Sequence, residues 1–186
     1  MAFSFERDKD IDGVVLINPF HVSDVRGGFT KHYEKGIFNS NELDFDVYEE
    51  FVTESVRNVI RGLHFQTVNP QAKLVSVIVG EIYDVVVDLR LDSNTFCKWK
   101  GFKLTSESKS VLYVPKGFAH GFITLAEYNA VSYKCNEPYQ QEFDDGIRWN
   151  DTDLNITWGY EASPIVSVKD ENLQTLQEFK RIHGGF

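Results

Sequence analysis

The sequence predicts an all-β fold, a β-barrel with one helix near the end of the chain. Most of the chain divides into segments of strand length that are rich in β-branched and aromatic residues, with Gly, Pro, Asn, Asp or Ser between them. The continuous run Val85-Val86-Val87 is typical of a strand buried on both faces. No linker or low-complexity tract interrupts the series, so we expect one domain over residues 1–186.

Each element is predicted from its local pattern. Strands are predicted at residues 14–17, 29–33, 46–55, 58–65, 73–79, 81–89, 98–105, 110–114, 121–125 and 130–135. Residues 35–43 form a short helix or an irregular connection. The one clear helix is 171–182, where Leu173, Leu176 and Phe179 recur at three-residue steps after an acidic start. Asp170 stands where the N-cap of this helix is expected.

Composition and charge restrict the possible partners. The net charge of −9 argues against nucleic acid and anionic membranes, because phosphate binding needs a basic face. No apolar run approaches the roughly 18 residues that cross a bilayer, and the first residues lack the order of a secretory signal. Cys97 and Cys135 lie far apart, which is typical of buried, reduced thiols. We therefore expect a cytoplasmic protein.

A polar cluster on the predicted strands marks a candidate site. Arg61 and His64 lie on one segment, Lys73 begins another, and His120 follows the turn Pro115-Lys116-Gly117. Polar side chains that point into a barrel cost stability unless they are paired or used. These residues are therefore the first candidates for chemistry.

Eight ordered blocks carry a family resemblance. They are Asp24-Val25-Arg26-Gly27, Arg61-Gly62-Leu63-His64-Phe65-Gln66, Lys73-Leu74-Val75, residues 80–88, residues 115–122, Tyr133-Lys134-Cys135, Trp149-Asn150-Asp151 and Lys169-Asp170. With these blocks, residues 13–179 resemble the dTDP-4-dehydrorhamnose 3,5-epimerase family. The resemblance implies a cupin-type jelly-roll β-barrel, a homodimer and no organic cofactor. It also implies epimerisation at C3, C5 or both of a nucleotide-linked 4-keto-6-deoxyhexose.

Four residues match the catalytic positions that the resemblance implies. A ketone at C4 acidifies the hydrogens on C3 and C5, so the reaction needs a base, a cation for the enolate and an acid on the opposite face. His64 matches the base, Asp170 its carboxylate partner, Lys73 the cation and Tyr133 the acid. Taken singly, the same residues also fit a core histidine, an N-cap, a solvated lysine and a packed tyrosine.

Further positions match the family's substrate contacts. They are Arg26, Phe29, Arg61, His120, Tyr139, Asp144 and Lys169. Arg26 and Arg61 suit a diphosphate, because guanidinium binds phosphate oxygens in bidentate fashion. The resemblance implies that Tyr139 stacks on the nucleotide base, and that Asp144 stands in place of the commoner glutamate.

A metal site is not expected. His120 occupies a position where metal-binding cupins keep a ligand, but His64-Phe65-Gln66 lacks the second histidine of the usual set. We therefore predict that His120 hydrogen-bonds to the substrate or to the base.

Two alternatives stay open at the level of sequence. One is a metal-dependent cupin, either a dioxygenase or a sugar isomerase, and the other is a non-catalytic module that binds nucleotide sugars. A dehydrogenase is disfavoured, because no Gly-x-Gly-x-x-Gly opens a helix after a strand. The sequence does not decide which carbon is inverted.

Two departures from the family pattern concern the nucleotide end. Lys31 stands where the family has a glutamate, and Thr53-Glu54-Ser55 replaces a Gln-Asp-Asn block. Exchanging amides for hydroxyls removes donor–acceptor pairs that could read a base edge. The catalytic set is intact while the nucleotide-reading set is altered, which favours a nucleotide other than dTDP, with CDP the first candidate.

Titration calorimetry with dTDP, CDP, GDP and UDP tests this nucleotide hypothesis. We expect CDP to bind most tightly, because the altered positions change the groups offered to the base. Tightest binding of dTDP would contradict the hypothesis.

Overall fold

Two β-sheets packed face to face form the body of the chain. The computed structural model describes residues 2–159 and 163–186. The strands are β1 Ser4–Arg7, β2 Val15–Asn18, β3 Phe20–Asp24, β4 Gly27–Lys31, β5 Glu49–Val56, β6 Val59–Gln66, β7 Lys73–Val79, β8 Glu81–Asp88, β9 Trp99–Thr105, β10 Val111–Val114, β11 Phe118–Thr124, β12 Tyr128–Cys135, β13 Asp144–Gly146 and β14 Ile165–Val166. The helices are α1 Lys35–Ser40, α2 Val168–Glu171 and α3 Leu176–His183.

The order of strands is that of a jelly-roll sandwich. The first sheet runs β1-β2-β10-β7-β12-β5, and the second runs β13-β6-β11-β8-β9, with β14 added in parallel to β6. Strands β3 and β4 form a separate hairpin. Strand β5 therefore lies at the edge of the first sheet, while β6, which follows it in the chain, belongs to the second.

The main core fills the space between the two sheets. Val75 and Val131 of the first sheet belong to one buried cluster with Ile82, Val86 and Phe122 of the second. Burial of such side chains is the main stabilising contribution in a sandwich of this kind.

Smaller clusters cover the outer faces of both sheets. Helix α3 packs Leu176 and Phe179 on the outer face of the second sheet, and Phe38 of α1 with Phe45 covers part of the first. The C-terminal region is thereby fixed to the sheet that carries β6.

The predicted fold class is confirmed, with two corrections of detail. The two sheets face each other without closing into one continuous barrel. The single helix predicted over 171–182 is two helices, because Ser167 caps α2 and Thr175 begins α3 through a capping box with Glu178. Asp170 therefore does not cap a helix: it lies inside α2, and its carboxylate is bonded elsewhere. Strands β1, β3, β13 and β14 were not predicted from the sequence.

The sequence predicted buried, reduced cysteines and no apolar run long enough to cross a bilayer. Both cysteines are free: Cys135 is buried as expected, whereas Cys97 is only half-buried. None of the helices in the described ranges has the length and apolar character that crossing a bilayer requires.

Two glycines allow β6 and β11 to approach closely. Gly62 has a φ of +118°, and a Cβ there would lie 2.6 Å from the Cα of Gly121. A Cβ on Gly121 would in turn lie 2.6 Å from the carbonyl oxygen of Arg61. His64 and His120 are paired in register on these same strands. The glycines thus set the spacing of the two strands that carry the histidines.

Gly62→Ala is expected to lower the free energy of unfolding by about 2–4 kcal/mol, because the new methyl group meets backbone at a positive φ. Equilibrium urea unfolding measures the change. Gly36→Ala in α1 is the matched control, since an added Cβ there has no atom within 4 Å. It should be neutral or slightly stabilising. Equal effects of the two substitutions would contradict the steric argument.

Candidate active site

Five polar side chains converge between the sheets at the inner faces of five strands. His64 of β6 and His120 of β11 lie opposite each other in register, and Asp84 of β8 is hydrogen-bonded to His120. From the first sheet come Lys73 of β7 and Tyr133 of β12, whose ring lies 5.8 Å from that of His120. The alternation of strand side chains accounts for this placement, since Ile82, Asp84 and Val86 occupy one face of β8.

His64 and Asp170 form a carboxylate–imidazole pair. His64 Nε2 lies 2.9 Å from Asp170 Oδ1, and the backbone N–H of Gly62 donates to Asp170 Oδ2 at 3.0 Å. Burial by itself raises the pKa of Asp170, but the hydrogen bonds and charge of His64 and the Gly62 N–H lower it, and the net pKa is lowered. An ionised carboxylate only accepts, so Nε2 carries a proton and Nδ1 is left to accept one.

His120 forms a second pair, with Asp84. The distance from His120 Nε2 to Asp84 Oδ2 is 2.7 Å, and both side chains are buried. Burial raises the pKa of Asp84, against the lowering effect of His120 and Lys73. The other oxygen, Oδ1, has no hydrogen bond within the described part of the chain. Sequence reasoning missed Asp84, although an acidic residue inside an apolar strand was a usable signal.

Tyr133 is held between two aromatic rings. Its ring stacks on Phe51 of β5 at 4.8 Å with an interplanar angle of 14°, and His120 lies edge-on at 79° on another side. Only 6% of Tyr133 is exposed. Burial and the negative charge of Asp84 raise the pKa of Tyr133 well above its usual 10, while Arg61 opposes them. The phenol is therefore protonated, and burial makes it a weaker acid than an exposed tyrosine.

Lys73 shares a cleft with His64. Burial lowers the pKa of Lys73, and acidic groups that include Asp144 and Asp84 oppose this effect. The cleft has a volume of about 140 Å³ and is lined by Glu49, Phe51, His64, Phe65, Gln66, Gln71, Lys73, Tyr139 and Asp144. Phe51 connects this cleft to Tyr133, because the two rings are in contact.

A hydrogen-bonded network stands at the rim of the cleft. The Tyr139 hydroxyl donates to Asp144 Oδ2 at 2.8 Å, and Lys169 forms an ion pair with the same oxygen. The hydrogen bond to Asp144 raises the pKa of Tyr139 to about 12. Three of the predicted binding residues are thus brought together.

Arg61 lies close to the site without lining the cleft. Its Nε donates to Ser55 Oγ at 3.1 Å, and its terminal nitrogen donates to the carbonyl oxygen of Glu54 at 3.1 Å. Those bonds tie the start of β6 to the edge strand β5.

Arg26 and Phe29 are not brought into the cleft of their own chain. Both lie on the β3–β4 hairpin, where they line a separate groove. The Arg26 side chain is 86% exposed and forms an ion pair with Asp24 at 2.5 Å. Sequence matching alone could not show this separation.

The wall of the cleft on β5 differs from the expected one. Glu49 and Phe51 face the cleft, and neither was predicted from the sequence as a site residue. Of the residues expected to read the nucleotide, Glu54 accepts a hydrogen bond from the Tyr128 hydroxyl at 2.6 Å, and Lys31 pairs with Glu34 at 2.7 Å. None of residues 53–55 is among those that line the cleft.

Metal ligands do not gather in the described ranges. In residues 2–159 and 163–186, no group of three or more His, Cys, Asp or Glu side chains is arranged to hold a metal ion. The two histidines of the site are each bonded to a carboxylate.

Known proteins resemble this chain over most of its length. The sequence profile of the dTDP-4-dehydrorhamnose 3,5-epimerase family matches residues 8–178. The dTDP-4-dehydrorhamnose 3,5-epimerase of Methanothermobacter thermautotrophicus is 44% identical over 170 residues, covering 90% of this chain and 92% of that protein.

Two crystal structures have the same fold. One is the dTDP-4-dehydrorhamnose 3,5-epimerase of Bacillus anthracis with TDP and pyrophosphate bound, with a TM-score of 0.89, 41% identity, and coverage of 94% of this chain and 100% of that one. The other is the dTDP-6-deoxy-D-glucose-3,5-epimerase of Legionella pneumophila in complex with dTDP-4-keto-L-rhamnose. It has a TM-score of 0.91, 34% identity, and coverage of 95% of this chain and 94% of that one.

A jelly roll that holds a histidine–carboxylate pair and a buried phenol has the base and acid groups of an isomerase of the proton-transfer class, and its relatives are isomerases of this kind. The family profile and the relatives match most of the chain, and this coverage identifies the family within that class. The chain belongs to the dTDP-4-dehydrorhamnose 3,5-epimerase family.

Proposed function

We propose that the protein epimerises a nucleotide-linked 4-keto-6-deoxyhexose at C3, C5 or both. The observation that carries this proposal is the convergence of the His64–Asp170 pair with the buried phenol of Tyr133. Relatives crystallised with TDP or with dTDP-4-keto-L-rhamnose support the choice of substrate class. The free thiols Cys97 and Cys135 favour a reducing cytoplasm as the place of the reaction.

His64 is the proposed base. Its Nε2 is engaged with Asp170, so Nδ1 takes the proton as the C–H bond of the sugar breaks. The electron pair of that bond forms a double bond to C4. The π electrons of the C4 carbonyl move onto O4, which gives the enolate. Asp170 stabilises the resulting imidazolium, and the Lys73 ammonium stabilises the enolate oxygen in a cleft that it shares with His64.

Tyr133 is the proposed acid. Its hydroxyl proton passes to the carbanionic carbon from the face opposite His64, so a new C–H bond forms with inverted configuration. The phenolate left behind regains a proton from water, and His64 loses its proton to water. Burial keeps Tyr133 protonated before the enolate forms, and the charge of Arg61, which lowers the pKa of Tyr133, favours the phenolate that remains after the proton is donated.

The rim residues are proposed to hold the nucleotide. Tyr139, Asp144 and Lys169 form one network at the mouth of the cleft, and Arg61 supplies a guanidinium near Tyr133 for the diphosphate. The nucleotide itself stays a prediction: the residues on which the CDP hypothesis was based do not line the cleft, whereas Glu49 and Phe51 do.

A homodimer accounts for the position of the hairpin. Arg26 and Phe29 match substrate-binding positions, yet they lie in a groove of their own on β3–β4. Phe29 is also largely exposed. We propose that each hairpin completes the cleft of the partner subunit, as a two-fold symmetric pair allows.

Subunit complementation tests this arrangement. His64→Ala and Arg26→Ala should each abolish most of the activity, and a mixture of the two after subunit exchange should recover about a quarter of the wild-type rate. Random exchange makes half of the dimers mixed. In each mixed dimer one of the two sites has both His64 and Arg26 intact, so a quarter of all sites are active. If Arg26 served its own chain, every site in the mixture would be defective and nothing would be recovered.

Deuterium exchange tests the reaction and the roles of its residues. With a 4-keto-6-deoxyglucose nucleotide in deuterium oxide, NMR should show deuterium at C3, C5 or both, before and after treatment with a chelator. His64→Ala should lower exchange at least about 100-fold. Tyr133→Phe should impair inversion more than exchange, because the first deprotonation does not need the opposite-face donor.

Tyr128→Phe is the matched control for Tyr133→Phe. Tyr128 is on the same strand, and its hydroxyl is bonded to Glu54 at the surface, so the control should keep wild-type exchange and inversion. Loss of exchange with chelator would favour the metal-dependent alternative. No exchange with any of the dTDP, CDP, GDP and UDP sugars would leave a binding module.

A further inference from the structure

Phe51 is a large apolar side chain that touches the buried phenol from the edge strand β5. Phe51 and Tyr133 are direct partners across the β5–β12 ladder, and their rings are nearly parallel at 4.8 Å. Directly opposed aromatic residues on antiparallel strands restrict each other's rotamers. The orientation of the Tyr133 ring therefore depends on Phe51.

The other side of the phenol is fixed independently. His120 lies edge-on to Tyr133, and its own ring is held by the 2.7 Å hydrogen bond to Asp84. Both of these residues are buried. Of these two aromatic neighbours, Phe51 lies on the edge strand β5 and is the more exposed, whereas His120 lies within the second sheet and is buried.

Burial of apolar surface does not account for Phe51. The side chain is 43% exposed, and it lines the cleft together with His64 and Lys73. The mechanism outlined above assigns it no chemistry. A role in holding the neighbouring phenol would explain why this aromatic ring stays partly exposed to water.

We propose that Phe51 is a positioning residue that determines how often deprotonation of the sugar ends in inversion. The stacked ring holds the Tyr133 hydroxyl where it reaches the carbanion before His64 returns its proton to the same face. This inference rests on the proposed function, in which Tyr133 is the acid. Without the ring, the phenol gains rotational freedom and the enolate is more often reprotonated by His64.

The test compares inversion with exchange in deuterium oxide. Phe51→Ala is expected to lower the number of inversions per exchange event by roughly three- to tenfold, with KM changed less than twofold. Phe51→Tyr keeps the ring and should restore the wild-type ratio. Phe51→Leu keeps apolar volume without the stacked ring, so it should resemble alanine, and it supplies the measurement if Phe51→Ala does not fold.

Val52→Ala is the matched control. Val52 is the next residue on β5, points to the opposite face and is 54% exposed, so its truncation should leave the ratio unchanged. A double-mutant cycle adds a second criterion. In a Tyr133→Phe background, Phe51→Ala should have no further effect on the ratio, because Phe51 acts through the phenol.

The outcomes separate this inference from the proposed function. Exchange in the unaltered protein with an unchanged ratio in Phe51→Ala overturns the inference alone. So does an effect on KM only, or an additive effect in the Tyr133→Phe background, which would indicate a direct contact with the substrate. Absence of exchange in the unaltered protein overturns the proposed function and this inference with it.

Discussion

The two oxygens of the Asp170 carboxylate connect the parts of the molecule on which the site depends. One oxygen accepts from His64 and the other from the backbone of Gly62, so α2 is fixed against β6 by the same side chain that orients the imidazole. Ser167 caps the helix and leaves Asp170 free for this task. Leu176 and Phe179 of α3, which follows α2 in the chain, pack on the outer face of the same sheet.

Burial separates the protonation states of the site. It raises the pKa of Tyr133 and of Asp84 and lowers that of Lys73, while hydrogen bonds hold Asp170 ionised in spite of burial. A neutral phenol on the first sheet and an ionised carboxylate on α2, bonded to His64 of the second sheet, therefore belong to one site. Such a division of charge among neighbouring groups is what acid–base chemistry on two faces of a sugar requires.

Local pattern predicted most of the strands, because the length of each segment and the turn residues at its ends are local properties. The pairing of His64 with Asp170 was reached through family resemblance, since 106 residues separate them in sequence. Phe51 and Asp84 were missed because their importance arises from neighbours on other strands. The helix prediction failed at Thr175, whose capping box with Glu178 competes with continuation of the helix predicted from residue 171. The hairpin position of Arg26 depends on tertiary arrangement, which matching of motifs does not contain.

The close contact of Gly62 with Gly121 also has a consequence for how such a protein diversifies. The two strands that carry the histidines tolerate no added carbon at these glycines without moving apart. Strand β5, by contrast, has a neighbouring strand on one side only. Descendants of this chain would therefore vary more readily on β5, while Gly62 and Gly121 pass unaltered between them.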